Sequence, residues 1–178
     1  MTDFTTTVTF VLSLGVVAAD VFILYVIFLF IAKEELPLFL KNIVQVYWLH
    51  IVFLISLGAS LASLYYSVIA QFEPCTLCWY QRILMFPLVL LFGMALIRKE
   101  SVIKPYAALL CIVGSLIAIY HYLLQIGVTS LAPCSASGVG SCFQTPFKTF
   151  GYITIPVMSL TAFLLILALL KLSDAREN

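Results

Sequence analysis

The stretch "PCTLCWYQRILMFPLVLLFGMALI", residues 74–97, decides the fold because a long apolar run begins directly after a pair of cysteines. From residue 79 to residue 97 the only charged residue is Arg82. About 20 apolar residues are enough for a helix to cross the hydrocarbon layer of a membrane. The run is continuously apolar, whereas a strand of a membrane barrel would alternate between apolar and polar residues. The stretch therefore predicts a membrane-spanning helix with two thiols at one end.

Four further runs of this kind occupy residues 8–32, 46–70, 105–126 and 152–170. The 178-residue chain is 63% hydrophobic and only 10% charged, whereas soluble domains average about 45–50% apolar and about 25% charged residues. A soluble helical protein of this composition would have to bury nearly every face of every helix. We therefore predict an all-α integral membrane protein, a four-helix transmembrane bundle plus one extra N-terminal transmembrane helix.

The first apolar run is interpreted as a retained helix rather than a cleavable signal peptide. No Lys or Arg precedes it, and it is longer than the apolar core of a signal peptide. Asp20 lies within this run, and no partner for its carboxylate is visible in the sequence. We divide the chain into this helix with its following loop, residues 1–42, and a four-helix domain, residues 43–178.

The distribution of basic residues predicts the orientation in the membrane. Seven of the nine lie in the loops 33–42 and 98–104 and in the C-terminal tail: Lys33, Lys41, Arg98, Lys99, Lys104, Lys171 and Arg176. Loops rich in Lys and Arg remain cytoplasmic, so five spans put the N-terminus outside and the C-terminus in the cytoplasm. The loops around residues 74–78 and 127–151 then lie outside. The net charge of +1 gives no support for nucleic-acid binding.

On this topology four of the five cysteines, Cys75, Cys78, Cys134 and Cys142, are extracytoplasmic, where disulfides form and persist. A bridge between Cys75 and Cys78 would close almost no loop and add little stability, which favours thiol exchange. The loop "CSASGVGSC", residues 134–142, has small intervening residues that suit exchange, although a modest structural staple stays open. Cys111, inside the fourth span, is predicted to be a packed apolar residue.

A metal site built from the four outer cysteines is the rival interpretation. C-x₂-C is a metal-ligand spacing, but C-x₇-C is not its usual companion, and we expect no nearby histidine to supply a ligand. We therefore predict no metal. The sequence also lacks the motifs for dinucleotide binding and for c-type haem attachment. A membrane quinone is the electron acceptor that this sequence allows, because its head group needs only an apolar slot and a few polar contacts.

Arg82 and His121 are the candidate partners of such an electron acceptor. Cys78 falls in the first turn of the third span and Arg82 four residues later, on the same helix face. Arg82 is expected to face the Cys78 thiolate, whose pKa the arginine and the helix N-terminus would lower, or the acceptor's oxygen. Snorkelling of Arg82 to the headgroups is the alternative. His121 lies level with Arg82 and is a candidate quinone or proton partner, with a packed histidine as the alternative.

"CTLCWYQR", followed by Pro87 and by a second outer cysteine pair, resembles the DsbB/BdbC family of disulfide-bond formation proteins over roughly residues 46–170. The resemblance implies a thiol:quinone oxidoreductase of the cell membrane. Such an enzyme reoxidises an extracytoplasmic DsbA-like, thioredoxin-like partner and passes electrons to ubiquinone or menaquinone. The family core has four helices, so the first helix of this chain is an addition.

The resemblance also implies roles for individual residues. Cys134 would form the mixed disulfide with the partner, and Cys142 would resolve it. The Cys75–Cys78 disulfide would reoxidise that pair. Cys78 would then engage the quinone, with Arg82 stabilising the charge that develops on it.

Two other kinds of protein share part of this pattern. Vitamin K epoxide reductase-like enzymes share the chemistry, but they usually carry their C-x-x-C pair after the loop pair, the reverse of the order here. A disulfide-stapled membrane scaffold is the non-enzymatic alternative. Reduction followed by addition of quinone distinguishes it, because quinone would restore the disulfides only of an enzyme.

Overall fold

Five long helices make up the computed structural model, which describes residues 3–33, 37–98, 102–128, 142–143 and 145–174. They are α1 (Asp3–Ala32), α2 (Leu38–Val68), α3 (Thr76–Arg98), α4 (Lys104–Gln125) and α5 (Ile155–Asp174). Each is long and apolar enough to span a membrane. Within the described ranges the β-structure is one isolated bridge, between Thr149 and Ile153. The predicted all-α membrane protein with five spans is confirmed.

Helix α2 begins earlier than predicted. It starts at Leu38, eight residues before the predicted span at residue 46, so part of the expected loop 33–42 is helical. Pro37 precedes it with an extended backbone, and no further proline or glycine interrupts the sequence for the next five turns. Its 31 residues correspond to about 46 Å, more than the ~30 Å hydrocarbon layer. The first turns, which carry Lys41, can therefore extend beyond the lipid.

The helices α2, α3, α4 and α5 form a closed four-helix bundle. Each packs against two of the others, in the order α2, α3, α4, α5 and back to α2, while α1 packs against α5 from outside. The centre of the bundle is formed by fully buried apolar side chains: Val52, Leu88, Phe92, Phe163 and Ile166. Cys111 is buried in the same core, as predicted.

The extra helix α1 is joined to the bundle by polar contacts. Thr161 on α5 donates a hydrogen bond to the Asp20 carboxylate at 2.7 Å, and the hydroxyl of Tyr152 donates another at 3.1 Å. Tyr66 on α2 donates to the hydroxyl of Thr9 at 3.2 Å. The carboxylate without a visible partner in the sequence is thus an anchor of α1, because α5 and the segment just before it supply the donors that lipid cannot.

Gly114→Ala is expected to lower the free energy of unfolding by about 1–3 kcal/mol. A methyl group on Gly114 would overlap the ring of Phe163, which is fully buried and cannot move aside freely. Unfolding of the purified protein in detergent measures the effect. Gly58→Ala is the matched control, since nothing lies within 4 Å of the added methyl group. Equal losses in both variants would contradict the close approach of α4 and α5.

Candidate active site

The C-x-x-C pair lies at the N-terminal end of α3, where Cys75 caps the helix. The carbonyl oxygen of Cys75 accepts a hydrogen bond from the N–H of Trp79 at 3.1 Å. Its sulfur accepts one from the backbone N–H of Cys78 at 3.4 Å, the contact that a capping side chain makes with the first turn. The two sulfur atoms lie 3.0 Å apart, and both cysteines are free thiols. The spacing thus brings two thiols together at a helix N-terminus.

Hydrogen-bond contacts converge on the sulfur of Cys75. It lies near the Cys78 sulfur and backbone N–H and 3.6 Å from Nε2 of His121. The contact with Cys78, and then that with His121, lowers the pKa of the Cys75 thiol well below its usual value, although burial acts in the opposite direction. The sequence led us to expect the stabilised thiolate at Cys78. The structure favours Cys75, because the capping position and His121 both serve its sulfur.

The Cys75 thiolate should therefore persist below neutral pH in the reduced protein. A cysteine with an ordinary pKa of about 8.5 reacts roughly tenfold faster per pH unit between about pH 6 and pH 8, because only the thiolate is nucleophilic. We expect alkylation of Cys75, followed by mass spectrometry, to change little over this range. His121→Ala should restore part of the slope. An ordinary slope in the unmodified protein would contradict the arrangement.

His121 and Gln81 form a buried polar pair between α4 and α3. The amide nitrogen of Gln81 lies 3.2 Å from Nδ1 of His121, and the other ring nitrogen faces Cys75. Gln81 is only 5% exposed and His121 only 2%, so water does not replace these contacts. His121 was among the site residues predicted from the sequence, whereas Gln81 was not. Its position three residues after Cys78, beside Arg82, was the available signal.

Arg82 is held inside the bundle. Its guanidinium donates hydrogen bonds to the hydroxyl and the carbonyl oxygen of Ser63 on α2, both at 2.8 Å, and lies 5.3 Å from the centre of the Trp79 ring. The side chain is 8% exposed, which argues against snorkelling to the headgroups. Its hydrogen bonds therefore go to Ser63 and not to Cys78, and nothing in the sequence around Ser63 marks it as a partner of Arg82.

A cavity of about 730 Å³ connects these side chains. Its polar lining includes Gln81, Arg82 and His121, and both Cys75 and Cys78 lie on its wall. Most of the remaining wall is apolar and comes from α2, α3, α5 and the loops: Ala59, Ala62, Phe72, Met85, Phe86, Phe143, Pro146, Ile155 and Met158. The volume and the mostly apolar lining are typical of sites for small organic molecules.

Cys142 lies close to the C-x-x-C pair. It is 1% exposed and takes part in a disulfide. It belongs to a small apolar cluster with Cys75, Leu77 and Leu124, against which Cys78 also packs. Cys134 lies outside the described residues. The structure thus brings at least one cysteine of the predicted loop pair to the end of the bundle that carries the C-x-x-C pair.

The expectation that no histidine lies near the cysteines was wrong. The sulfur atoms of Cys75 and Cys78 and a ring nitrogen of His121 lie within 4.8 Å of one another. Two thiolates and an imidazole are ligands that zinc accepts, with a fourth position left open. The distance in sequence between residues 78 and 121 hid this set, because only the packing of α3 on α4 brings the histidine to the thiols.

The fold and the site together define a class: a multi-pass, all-helical membrane protein that holds a dithiol on the wall of an apolar cavity. Comparison with known proteins refines this class. The family model described as "Disulfide bond formation protein DsbB" matches residues 45–172. The chain belongs to the DsbB family of disulfide bond formation proteins.

The names of similar proteins agree with this family. "Disulfide bond formation protein C" of Bacillus subtilis (strain 168) is 43% identical over 141 residues, which are 78% of this chain and 99% of the relative. "SPbeta prophage-derived disulfide bond formation protein B" of the same organism is 37% identical over 116 residues, 65% of this chain and 78% of the relative. No solved structure matches the chain. The predicted DsbB/BdbC membership is confirmed, and it implies oxidoreductase activity with a thiol–disulfide partner protein.

Proposed function

We propose that this protein is a thiol:quinone oxidoreductase of the cell membrane. It reoxidises an extracytoplasmic DsbA-like, thioredoxin-like protein and so supports disulfide formation in secreted proteins. The observation that carries the proposal is one cavity whose wall presents Cys75, Cys78, Arg82 and His121 together. The names of the family and of the relatives, which refer to disulfide bond formation, support it.

The proposed relay uses both cysteine pairs. A thiolate of the reduced partner bonds to Cys134, and Cys142 leaves with the electron pair of the broken disulfide. The partner's second thiol then closes the partner disulfide and releases Cys134. In this scheme Cys142 is the leaving group and does not itself resolve the mixed disulfide, because its return to Cys134 would release the partner still reduced. The Cys75–Cys78 disulfide takes up the two electrons of the reduced loop pair and becomes a dithiol. The packing of Cys142 against the cluster that contains Cys75 supports this exchange.

The cavity fits a quinone head group. Its apolar residues suit the ring and the start of an isoprenoid tail. Arg82 is the proposed donor to a carbonyl oxygen, because its guanidinium has more N–H groups than the two that bond to Ser63. His121 lies on the same wall, but its two ring nitrogens face Gln81 and Cys75.

A bound quinone supplies an acceptor for two electrons and two protons. Cys75 and Cys78 provide those electrons as their sulfur–sulfur bond forms. Arg82, fixed by Ser63 before the reaction, would stabilise negative charge in a site with little water.

We place the cavity and both cysteine pairs on the outer side of the membrane. The concentration of Lys and Arg in the loops at the other end of the bundle supports this orientation. A membrane-impermeant maleimide tests it in intact cells after reduction. Labelling of Cys75 and Cys134 without permeabilisation is expected. Labelling that requires permeabilisation would contradict the proposed orientation and with it the secreted partner.

The decisive experiment mixes purified protein, a quinone and a reduced thioredoxin-like protein in a stopped-flow instrument. Oxidation of the partner should match quinol formation one to one, and mixed disulfides trapped with the partner should map to Cys134. Ubiquinone and menaquinone are compared separately. A disulfide-stapled scaffold would regain nothing from quinone. A zinc site at Cys75, Cys78 and His121 would keep these thiols reduced in the presence of quinone, and a stronger oxidant would release the zinc. Either the behaviour of a scaffold or that of a zinc site would refute the proposal.

A further inference from the structure

We infer that Thr9 of the extra helix α1 is a positioning residue for the proposed quinone site, because its hydroxyl holds Tyr66 of α2 in the cavity wall. Helix α1 lies outside residues 45–172, which the family model matches. The helix would therefore add a contact of its own to the site of the four-helix bundle. The contact stands on geometry, whereas its effect on quinone binding rests on the function proposed above.

Tyr66 lies between the cavity and α1. It belongs to the cavity wall, and its side chain is only 4% exposed. Its hydroxyl oxygen lies 3.2 Å from that of Thr9, which is 3% exposed. No residue of α1, which the structure describes from Asp3 to Ala32, lies on the cavity wall. The hydroxyl of Tyr66 is thus engaged outside the cavity, and the ring is what Tyr66 adds to the wall.

Aromatic contacts hold the ring of Tyr66 from other sides. The ring stacks on Phe72, with the ring centres 5.9 Å apart and the planes inclined by 9°, and it packs against Phe147 at 5.2 Å. Phe72 also lies on the cavity wall. Stacked rings can slide over one another at little cost, whereas a hydrogen bond requires a short distance and a restricted angle. The contact with Thr9 therefore fixes the place that the ring takes in the wall.

Burial makes this partner necessary. A buried hydroxyl without a hydrogen-bond partner is unfavourable, because no water takes the place of the lost group. Without the Thr9 hydroxyl, the hydroxyl of Tyr66 would have to move toward another polar group, and its ring would move with it. A wall residue that is free to move must be ordered again when a ligand binds, which weakens binding. Arg82 is held separately by Ser63, so we expect Thr9 to affect quinone affinity and not electron transfer.

A neighbouring contact between the same two helices provides an internal comparison. The hydroxyl oxygens of Thr5 and Tyr65 lie 3.4 Å apart, one turn before Thr9 on α1. Among the described residues of α2, the cavity wall includes Tyr66 but not Tyr65. Thr5→Val thus removes a similar hydroxyl pair without disturbing a wall residue. The hydrogen bonds of Asp20 remain in every variant, so α1 stays attached to the bundle.

Carbon NMR of protein labelled at the tyrosine carbon that bears the hydroxyl tests the contact without quinone. The chain has nine tyrosines, and Tyr66→Phe identifies the signal of Tyr66 by its disappearance. We expect Thr9→Val to shift this signal, and Thr9→Ser, which keeps a hydroxyl, to leave it close to its original position. Thr5→Val should shift it much less. An unmoved signal in Thr9→Val would overturn the inference, whether or not the protein reduces quinone.

Equilibrium binding of ubiquinone and menaquinone analogues with shortened tails measures the effect on the cavity. The oxidised protein is used without a thiol partner, so that no electrons are transferred. We expect Thr9→Val to raise the dissociation constant about tenfold, the equivalent of one buried hydrogen bond. Thr5→Val should leave it unchanged. In a Tyr66→Phe background, Thr9→Val should raise it no further, because the hydroxyl that needs a partner is gone.

Turnover separates positioning from a general loss of structure. KM for the quinone should rise in Thr9→Val while kcat is retained, and Thr9→Ser should restore KM. An unchanged dissociation constant in Thr9→Val, or an equal rise in Thr5→Val, would overturn the inference. Absence of quinone binding to the unmodified protein would instead refute the proposed function, and the carbon signal of Tyr66 would still report its contact with Thr9.

Discussion

Cys78→Ser and Cys75→Ser are each expected to abolish quinone reduction by a dithiol partner. Disulfide closure between these residues is the proposed source of both electrons, and a serine hydroxyl can neither form that bond nor be oxidised by quinone under the same conditions. Turnover should fall to the background rate of the mixture without protein. Stopped-flow absorbance of the quinone measures the loss. Exchange between the partner and the loop cysteines should continue for one turnover, because this step takes place before electrons reach the C-x-x-C pair.

Cys111→Ala is the matched control for these two variants. Cys111 is also a buried cysteine in a helix, but it lies in the central core and belongs neither to the cavity wall nor to the cluster that contains Cys75 and Cys142. Turnover should be retained. Full activity in Cys78→Ser would refute the proposed relay. Loss of activity in Cys111→Ala would mean that the cysteine variants lower activity by disturbing the fold.

Arg82→Met is expected to lower the rate of quinone reduction about a hundredfold, the usual cost of removing a donor that stabilises developing negative charge. Methionine keeps much of the side-chain length but removes the charge that Ser63 and Trp79 hold at the cavity. Partner–thiol exchange without quinone should change little. The two half-reactions are measured separately in single-turnover experiments, one with excess partner and one with excess quinone.

Arg98→Met provides the comparison for Arg82→Met. Arg98 lies in the last turn of the same helix, is exposed, and comes three turns after Phe86, the last residue of α3 on the cavity wall. It should leave both half-reactions unchanged. If Arg82→Met instead slowed only the exchange with the partner, the quinone would not bind beside Arg82, and the cavity would have to be assigned to the partner's thiols.

The helices illustrate what apolar patterning predicts. Each of the five apolar runs became a helix, because a backbone in lipid must satisfy its own hydrogen bonds. The boundaries were less predictable. Helix α2 begins at Leu38 because nothing in the next residues breaks it, and α5 begins at Ile155, after a tight turn in which Phe150 and Gly151 have positive φ. Hydropathy marks where lipid contacts a helix, whereas local backbone geometry sets where the helix ends.

The side chains of the site divide in the same way, into local contacts that the sequence predicts and contacts between helices that it does not. The spacing of Cys75 and Cys78 at the start of a helix predicted a pair of thiols in contact, because capping and the first turn are local. Which of the two is the stabilised thiolate depended on the contacts of the Cys75 sulfur with Cys78 and also on His121, which is remote in sequence. The contact between Gln81 and His121 likewise joins two helices and could not be predicted from either segment alone.

The sequence by itself determined that this is a helical membrane protein with a redox-type cysteine pair at the end of a span. Composition, run length and C-x-x-C spacing act within one segment and need no partner. The tertiary structure alone decided that His121 faces Cys75 and that Ser63 holds Arg82. It also decided that Thr161 of α5 donates a hydrogen bond to the carboxylate of Asp20. These are contacts between helices whose relative rotation is fixed by packing, and periodicity in one helix carries no information about the residues of its neighbour.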